Sequence, residues 1–213
     1  METIVYLIRH SEKFDINYMS NRYYDFENYK ITREKRILST NGEKKAIILS
    51  ENKEFDNIDV IYTSNYVRAI QTAKYLAERL KLKINVDPRL NEKVYGNPLC
   101  SKDIYLEQIY DENLKNPDGE SRKEVTERMY SAFGDIVNLN KGKNIAIYSH
   151  GAAITFLLMK WCKLDSIDKD RKKCFIFNNK IVINKVFGTP EVFKIYLDDE
   201  LNVKDIVNIE IKY

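Results

Sequence analysis

Short, mostly apolar runs that alternate with helical patterns constrain the fold of this chain more than any other feature. The runs lie at residues 4–8, 59–63, 83–86 and 144–148. A continuous apolar run such as the first is typical of a strand that is buried on both faces of a sheet. Strands that alternate with helices predict an α/β fold, here a three-layer α/β/α sandwich with a mostly parallel central sheet.

The last third of the chain carries three further strand patterns, at residues 181–187, 192–197 and 203–211. A turn signal at residues 198–202 separates the last two of them. We therefore expect a C-terminal hairpin that adds antiparallel edge strands to the sheet. The length of 213 residues suits a single domain over residues 1–213, with surface insertions at about 11–38 and 93–119, where periodicity is weak.

Residues that favour the N-cap position mark the starts of three helices. Ser39 precedes a helical pattern that continues to about residue 50. Ser64 or Asn65 is expected to cap the helix that follows the second strand. Ser121 and Glu124 have the spacing of a capping box, in which each side chain accepts a hydrogen bond from the other residue's backbone.

Composition excludes several classes of protein. The formal net charge is +3, and basic residues are interspersed with acidic ones, so we expect no nucleic-acid partner. Cys100, Cys162 and Cys174 have no CxxC spacing, which argues against a disulfide framework and a zinc site. The sequence shows no signal peptide or membrane-spanning run. We therefore expect a cytoplasmic protein without a membrane partner.

The chain contains only two histidines, and each directly follows a predicted buried strand. His10 follows Arg9 at the end of the first strand, and His150 follows the strand at residues 144–148. The carboxyl ends of parallel strands share one edge of the sheet, where ligands bind in such folds. Both histidines are therefore expected in one crevice, although a purely structural role and a metal site remain alternatives.

Two further charged residues are predicted at the same edge. Arg68 lies in the first turn of the helix after the second strand, and Glu92 follows the third strand. A guanidinium matches two phosphate oxygens at once, so Arg9 and Arg68 together predict a phosphate site. Glu92 adds a carboxyl group that can transfer a proton. A solvated arginine and an exposed loop carboxylate are the alternatives for these two residues.

Taken together, these residues resemble the motifs of the histidine phosphatase superfamily, which includes the cofactor-dependent phosphoglycerate mutases. The similar segments occur in family order over residues 4 to about 160. They are Arg9-His10-Ser11-Glu12, the Arg-Ala-x-Gln-Thr-Ala run at residues 68–73, Leu90-Asn91-Glu92 with Gly96, and Ser149-His150-Gly151. Residues 38–42 and 119–121 also resemble family landmarks.

The resemblance implies a mechanism without a metal or other cofactor. His10 would attack phosphorus and become phosphohistidine. Arg9, Arg68 and His150 would hold the phosphoryl oxygens. Glu92 would protonate the leaving oxygen and then activate water. Because positive charge disfavours protonation of a nearby imidazole, the two arginines would help to keep His10 neutral.

The chain departs from the family pattern around the first motif. Ser11 replaces the usual glycine, and its hydroxyl would either donate to the phosphate or narrow the pocket. The family's Trp-Asn is absent, and Asn17 is out of register by one residue. Asn17, Ser11, Tyr95 and Gly151 are the expected substrate contacts. The aromatic segment at residues 14–29 is interpreted as packing on the sheet rather than covering the pocket.

The sequence therefore favours a phosphatase that hydrolyses a small-molecule phosphate ester. Two alternatives stay open. The segment from Arg89 to Gly96 resembles the mutase form of the third motif, including Tyr95, so mutase-type phosphoryl transfer is the first. A non-catalytic phosphate-binding module is the second. A homodimer is left open as the assembly.

Overall fold

Nine β-strands lie in the part of the chain that the structure describes. The computed structural model describes residues 2–15, 26–97 and 100–213. In chain order the strands are β1 (Thr3–Arg9), β2 (Val60–Thr63), β3 (Ile84–Val86), β4 (Asn144–Ser149), β5 (Lys163–Ile167), β6 (Lys173–Phe177), β7 (Lys180–Lys185), β8 (Glu191–Leu197) and β9 (Val203–Ile209).

The described residues form six α-helices between these strands. They are α1 (Phe26–Lys35), α2 (Thr40–Glu51), α3 (Val67–Leu80), α4 (Glu107–Tyr110), α5 (Arg122–Leu139) and α6 (Gly151–Leu158). Short 3₁₀ helices at Lys53–Phe55 and Pro88–Leu90 precede β2 and follow β3. Among the described helices, none has the length and apolar character needed to cross a membrane.

The main sheet has six strands in the order β3-β2-β4-β1-β8-β9. The first four are parallel to one another, whereas β8 and β9 pair antiparallel. This arrangement confirms the predicted α/β fold. The expected C-terminal hairpin adds antiparallel strands on one side of the parallel strands, with β8 paired to β1 and β9 at the edge of the sheet. β8 is buried at most of its positions, as suits an interior strand.

Helices cover both faces of the main sheet because β1 and β4 are apolar on both sides. Val5 and Leu7 of β1 pack with α5 and α6. Tyr6 and Ile8 point to the opposite face and pack with α2 and α3. Successive strand residues point to opposite faces, so a continuous apolar run needs a cover on each side. The predicted three layers are therefore confirmed.

Two of the three predicted helix caps are confirmed. Ser39 Oγ accepts a hydrogen bond from Gly42 N at 2.9 Å, and Ser121 and Glu124 form the complete capping box. The third cap is wrong, since α3 begins after Tyr66, which provides no side-chain cap. The Ser64 hydroxyl is instead paired with the His150 ring at 2.7 Å.

Three elements escaped the sequence patterns. The segment 11–38 contains the helix α1, which carries mostly polar side chains and so lacks an apolar stripe. The strands β5 and β6 were not expected. They form a separate three-stranded antiparallel sheet with β7, a strand expected from the run at residues 181–187. The segment 93–119 contains the short helix α4.

A close backbone approach at Gly42 provides a test of the packing between α2 and the segment that follows β1. A Cβ atom at Gly42 would clash with the Glu12 carbonyl oxygen. Because backbone cannot rotate away as a side chain can, we expect Gly42→Ala to lower the free energy of unfolding by about 1–3 kcal/mol. Thermal denaturation should show this as a decrease in Tm of roughly 2–4 °C per kcal/mol.

Gly134→Ala is the matched control. Gly134 lies inside α5, and a Cβ atom there would meet nothing within 4 Å. Alanine favours a helix interior over glycine, so this variant should gain about 0.5–1 kcal/mol. Equal Tm values for the two variants would contradict the close approach at Gly42.

Candidate active site

The register of the central sheet brings the two histidines together. Arg9, the last residue of β1, lies opposite Ser149, the last residue of β4. The next residue, His10, donates its backbone N–H to the Ser149 carbonyl at 2.9 Å. The rings of His10 and His150 lie 5.1 Å apart, centroid to centroid. The two histidines therefore lie together at one edge of the sheet, as expected from the ends of β1 and β4.

Arg68 joins the two imidazole rings. Its Nε donates to His10 Nε2 at 3.0 Å, and its Nη2 donates to His150 Nδ1 at 3.1 Å. The remaining terminal nitrogen, Nη1, donates to the Arg33 backbone carbonyl at 2.8 Å. Arg68 lies in the first turn of α3, directly after β2, which pairs with β4. The guanidinium is therefore held by three neutral acceptors.

These hydrogen bonds assign the protons of both imidazoles. A guanidinium has only donors, so His10 Nε2 and His150 Nδ1 must both be unprotonated acceptors. The other nitrogen of each ring then carries the proton. His10 Nδ1 donates to the Ser11 carbonyl at 2.6 Å, and His150 Nε2 donates to Ser64 Oγ at 2.7 Å. Both rings are neutral, in opposite tautomers.

Burial and positive charge act in the same direction on these rings. Burial, followed by the charges of Arg68 and Arg9, holds the pKa of His10 well below its usual range. Burial and Arg68 do the same to the pKa of His150. Burial also lowers the pKa of Arg68, to about 10, so this guanidinium stays charged near neutral pH. The site thus combines neutral imidazoles with a fixed cation.

Arg9 is positioned by segments from the C-terminal half of the chain. Its Nη1 donates to the carbonyls of Phe187 and Gly188, at 2.7 and 3.2 Å. Its Nε is buried and has no hydrogen-bond partner among the described residues. A Cβ atom at Gly151 would lie 3.2 Å from this Nε, so glycine permits the close approach. These contacts fix the position of the Arg9 guanidinium at the end of β1.

Glu92 caps the helix that begins after His150. Its Oε1 accepts from the N–H groups of Lys93 and Ala153, at 2.9 and 3.1 Å, and its Oε2 accepts from Ala152 N at 3.4 Å. His150, the N-cap residue of α6, provides no side-chain cap of its own. Carboxylates are stabilised at helix N-termini, so α6 fixes Glu92 beside the strand ends.

A cavity of about 370 Å³ opens over these side chains. Its lining includes five residues expected from the sequence and five that the sequence did not indicate. The expected ones are Arg9, His10, Arg68, Glu92 and Tyr95, and the others are Lys13, Tyr29, Arg33, Arg36 and Arg171. His150 is fully buried behind Arg68 and does not line this cavity.

Most of the missed residues lie outside the motifs. Arg33 and Arg36 are three positions apart, which would place them on one side of a helix. This spacing could have indicated both arginines from the sequence, but only if a helix had been predicted in this segment. Arg171 lies in the turn between β5 and β6, two strands that were also missed, and Lys13 follows the first motif.

The four residues expected to contact substrate differ in where the structure places them. The Ser11 hydroxyl donates to the Gly42 carbonyl at 2.6 Å and the residue is fully buried, which favours a structural role over contact with phosphate. Tyr95 lines the cavity. Gly151 packs beneath Arg9, and it lines a smaller cavity of about 150 Å³ next to the first. Asn17 lies outside the described residues.

The aromatic segment at residues 14–29 does not simply pack on the sheet. Of its members with a described side chain, Phe14 is 51% exposed and Tyr29 lines the cavity. The interpretation as core packing is therefore wrong for these two residues. Among the residues that the structure describes, no group of three or more His, Cys, Asp or Glu is arranged to hold a metal ion.

The chain matches one family model and several named relatives. The family model of the histidine phosphatase superfamily (branch 1) matches residues 5–184. The chain is 32% identical over 131 residues to a Yersinia enterocolitica protein named "Probable phosphoglycerate mutase GpmB", and 30% identical over 134 residues to an Enterobacter protein of the same name. Both matches cover 57% of this chain and 61% of the relative, so the chain spans only about three fifths of those proteins.

Solved structures of similar fold include named phosphatases. A mycobacterial glucosyl-3-phosphoglycerate phosphatase gives a TM-score of 0.62 at 19% identity, covering 99% of this chain and 100% of that one. A phosphoserine phosphatase variant from Entamoeba histolytica gives 0.62 at 17%, covering 96% of each chain. YhfR from Bacillus stearothermophilus gives 0.65 at 22%, covering 95% and 94%. At these identities the likeness establishes the fold alone.

The neutral state of both histidines leads to a titration experiment. With only two histidines in the chain, their Hε1 proton resonances can be followed separately by NMR. Because both pKa values are lowered, neither resonance should titrate near pH 6.5 in the folded protein. In urea, where the protein is unfolded, both resonances should titrate with the ordinary histidine pKa of about 6.5. A folded-state midpoint near that value would contradict the assigned hydrogen bonds.

The same pKa shifts set the sign of a stability change. Below about pH 6.5 the unfolded imidazoles bind protons, whereas the folded ones stay neutral. The unfolded state then binds more protons, so this contribution makes the free energy of unfolding decrease as the pH falls. Urea denaturation at a series of pH values measures it.

Proposed function

This chain belongs to the histidine phosphatase superfamily, branch 1, and from that membership we propose that it hydrolyses phosphate monoesters of a small metabolite. The reaction would proceed through phosphohistidine on His10. One observation carries this proposal. Nε2 of His10 is an unprotonated nitrogen held by the Arg68 cation beneath a basic cavity, and Glu92 lies in the wall of that cavity.

The first step requires that the substrate take over a hydrogen bond. Without substrate, the lone pair of His10 Nε2 accepts from Arg68 Nε. A phosphate oxygen would accept that N–H instead and leave the lone pair free to attack phosphorus. As the N–P bond forms, the ester P–O bond breaks. Positive charge that develops on the ring is stabilised by the Ser11 carbonyl, which accepts from Nδ1 at 2.6 Å.

Fixed cations would stabilise the phosphoryl group during transfer. Arg68 and Arg9 line the cavity and are held by hydrogen bonds to the protein, so little reorganisation is needed when charge shifts to the phosphoryl oxygens. In this arrangement His150 supports transfer by orienting Arg68. Direct contact between His150 and a phosphate oxygen would require Arg68 to move, since the guanidinium lies between them.

Glu92 would handle the protons in both steps. It would give a proton to the leaving oxygen, and the alcohol would then depart. The resulting carboxylate would take a proton from water as that water attacks phosphorus, releasing inorganic phosphate and free His10. Oε2 suits this role better than Oε1, because its single hydrogen bond, to Ala152 N, is the longest that the carboxyl group makes.

Mutase-type transfer is the second candidate. The curated relatives carry the name phosphoglycerate mutase, and Tyr95 of the mutase-like motif lines the cavity. In a mutase, phosphohistidine passes its phosphoryl group to another substrate hydroxyl instead of water. Release of phosphate from 3-phosphoglycerate without formation of 2-phosphoglycerate would eliminate this candidate.

Removal of the nucleophile tests the proposed chemistry. We expect His10→Ala to lower kcat with p-nitrophenyl phosphate by at least about 10³-fold, because the other imidazole, His150, is buried behind Arg68 and does not line the cavity. The wild type should form an acid-labile, base-stable phosphoprotein that this variant lacks. Equal hydrolysis by both proteins would overturn the mechanism, and binding of phosphate without turnover by the wild type would indicate a non-catalytic module.

Glu92→Gln tests the proton donor separately. Gln keeps an oxygen that can accept the α6 N–H groups, so the helix cap is retained. A good leaving group needs little protonation, so kcat/KM, which reports the steps up to release of the alcohol, should decrease by about 10²–10⁴-fold with an alkyl phosphate and much less with an aryl phosphate. Phosphoprotein should accumulate, since attack by water also slows. An equal decrease with both substrates would assign Glu92 a purely structural role.

A further inference from the structure

The cavity holds more positive charge than one phosphate group requires. Besides Arg9 and Arg68, four cationic side chains line it, and Glu92 is the single carboxylate among the described lining residues. We call these four the outer basic group, which consists of Lys13, Arg33, Arg36 and Arg171. A phosphate dianion balances about two charges. Arg171 is paired with Asp103, but the other cations still exceed the charge that Glu92 and one phosphate balance.

Contacts with aromatic rings hold two of these arginines in place. The Arg33 guanidinium carbon lies 4.4 Å from the centroid of the Tyr95 ring and 5.6 Å from that of Tyr29. The Arg171 carbon lies 4.7 Å from the Tyr105 ring, and its Nη2 donates to Asp103 at 2.6 Å. A guanidinium stacked on a ring keeps its edge N–H groups directed outward. Such groups are suited to bind an oxyanion.

Several cations of this group lie close enough to act on one another. Burial, and then the charge of Arg36, lowers the pKa of Lys13, although Asp15 opposes this shift. Burial lowers the pKa of Arg68, and Arg33 and Arg36 add to that effect while Glu92 opposes it. The pKa of Arg33 is raised despite its burial, because nearby tyrosines and Glu92 favour its charged form. Like charges collected in one partly buried cavity destabilise the protein unless an anion offsets them.

The outer basic group is joined to the catalytic centre through backbone. The Arg33 carbonyl accepts from Arg68 Nη1 at 2.8 Å, so the end of α1 also orients the arginine that contacts His10. Lys13 follows the same strand end as His10, and its backbone forms a β-bridge with Leu38. The cations of this segment therefore share one rigid framework with the phosphate site.

We propose that the substrate carries a second anionic group, a carboxylate or a second phosphate, which Lys13, Arg33 and Arg36 bind while the first phosphate lies at His10. Arg171 would close the other side of the same ligand. This inference rests on the proposed function and names the substrate class of that site. A cavity of about 370 Å³ accommodates a small phosphorylated acid or a bisphosphate.

Matched substrate pairs test the second anion. One arm compares 3-phosphoglycerate with glycerol 3-phosphate, which differ by a carboxylate. The other compares propane-1,3-diol bisphosphate with its monophosphate. A charge-assisted contact should raise kcat/KM for the doubly anionic member by about 10–100-fold, mainly through KM. The arm with the larger ratio identifies the anion as carboxylate or phosphate.

Charge-removing variants then locate the contact. The double variant Arg33→Met/Arg36→Met should discriminate less between the two members of a substrate pair. For the pair with the larger wild-type ratio, kcat/KM for the doubly anionic member divided by kcat/KM for the singly anionic member should decrease toward one. Methionine retains much of the length of the side chain, and the Arg33 backbone carbonyl is unchanged. Lys35→Met is the control, because Lys35 is an exposed residue at the end of α1 and does not line the cavity. That variant should retain the wild-type ratio.

The outcomes separate this inference from the proposed function. Wild-type ratios near one in both arms, or the same decrease in ratio for Lys35→Met, would overturn the second site even when p-nitrophenyl phosphate is hydrolysed. If the wild type hydrolyses no ester, the proposed function fails. Calorimetric titration of the same pairs then decides the second site, and tighter binding of the doubly anionic member that the double variant loses would support it.

Discussion

The fork of Arg68 between two neutral imidazoles is the interaction on which the rest of the site depends. It requires β1, β4 and the start of α3 to meet at one edge, since its acceptors follow β1 and β4. The parallel register that places Arg9 opposite Ser149 provides that meeting point. A shift of one residue in this register would turn each side chain to the other face of the sheet.

The bonding of Arg68 also explains why the site attracts anions. A buried guanidinium is usually hydrogen-bonded to a carboxylate, but here Arg68 donates to two ring nitrogens and a backbone carbonyl. The hydrogen-bonding needs of the cation are met by neutral groups, and the carboxylate of Glu92 acts on its charge only from a distance. The same charge keeps His10 neutral. One residue therefore supports both anion binding and nucleophilicity, and the donors are in place before substrate arrives.

The elements that could be predicted from the sequence are those with a strong local residue pattern. β1 and β4 were predictable because their apolar runs are continuous, and Ser121 with Glu124 because a capping box has a fixed spacing. α1 was not predictable, because its polar sequence has no apolar stripe. Its position depends instead on its contacts with the site that it covers. β5 was missed for a similar reason, as it has no buried position. Most of the outer basic group lies in such elements or beside them.

By itself, the sequence determined the α/β layering and the positions of His10, His150, Arg68 and Glu92 at one sheet edge, because the carboxyl ends of parallel strands converge regardless of side-chain detail. Only the tertiary structure decided where each polar group points. It directs the Ser11 hydroxyl to the Gly42 carbonyl, and it buries His150 behind Arg68. It also gathers Arg33, Arg36 and Arg171 over the nucleophile. Such contacts join residues far apart in the chain, so no local pattern encodes them.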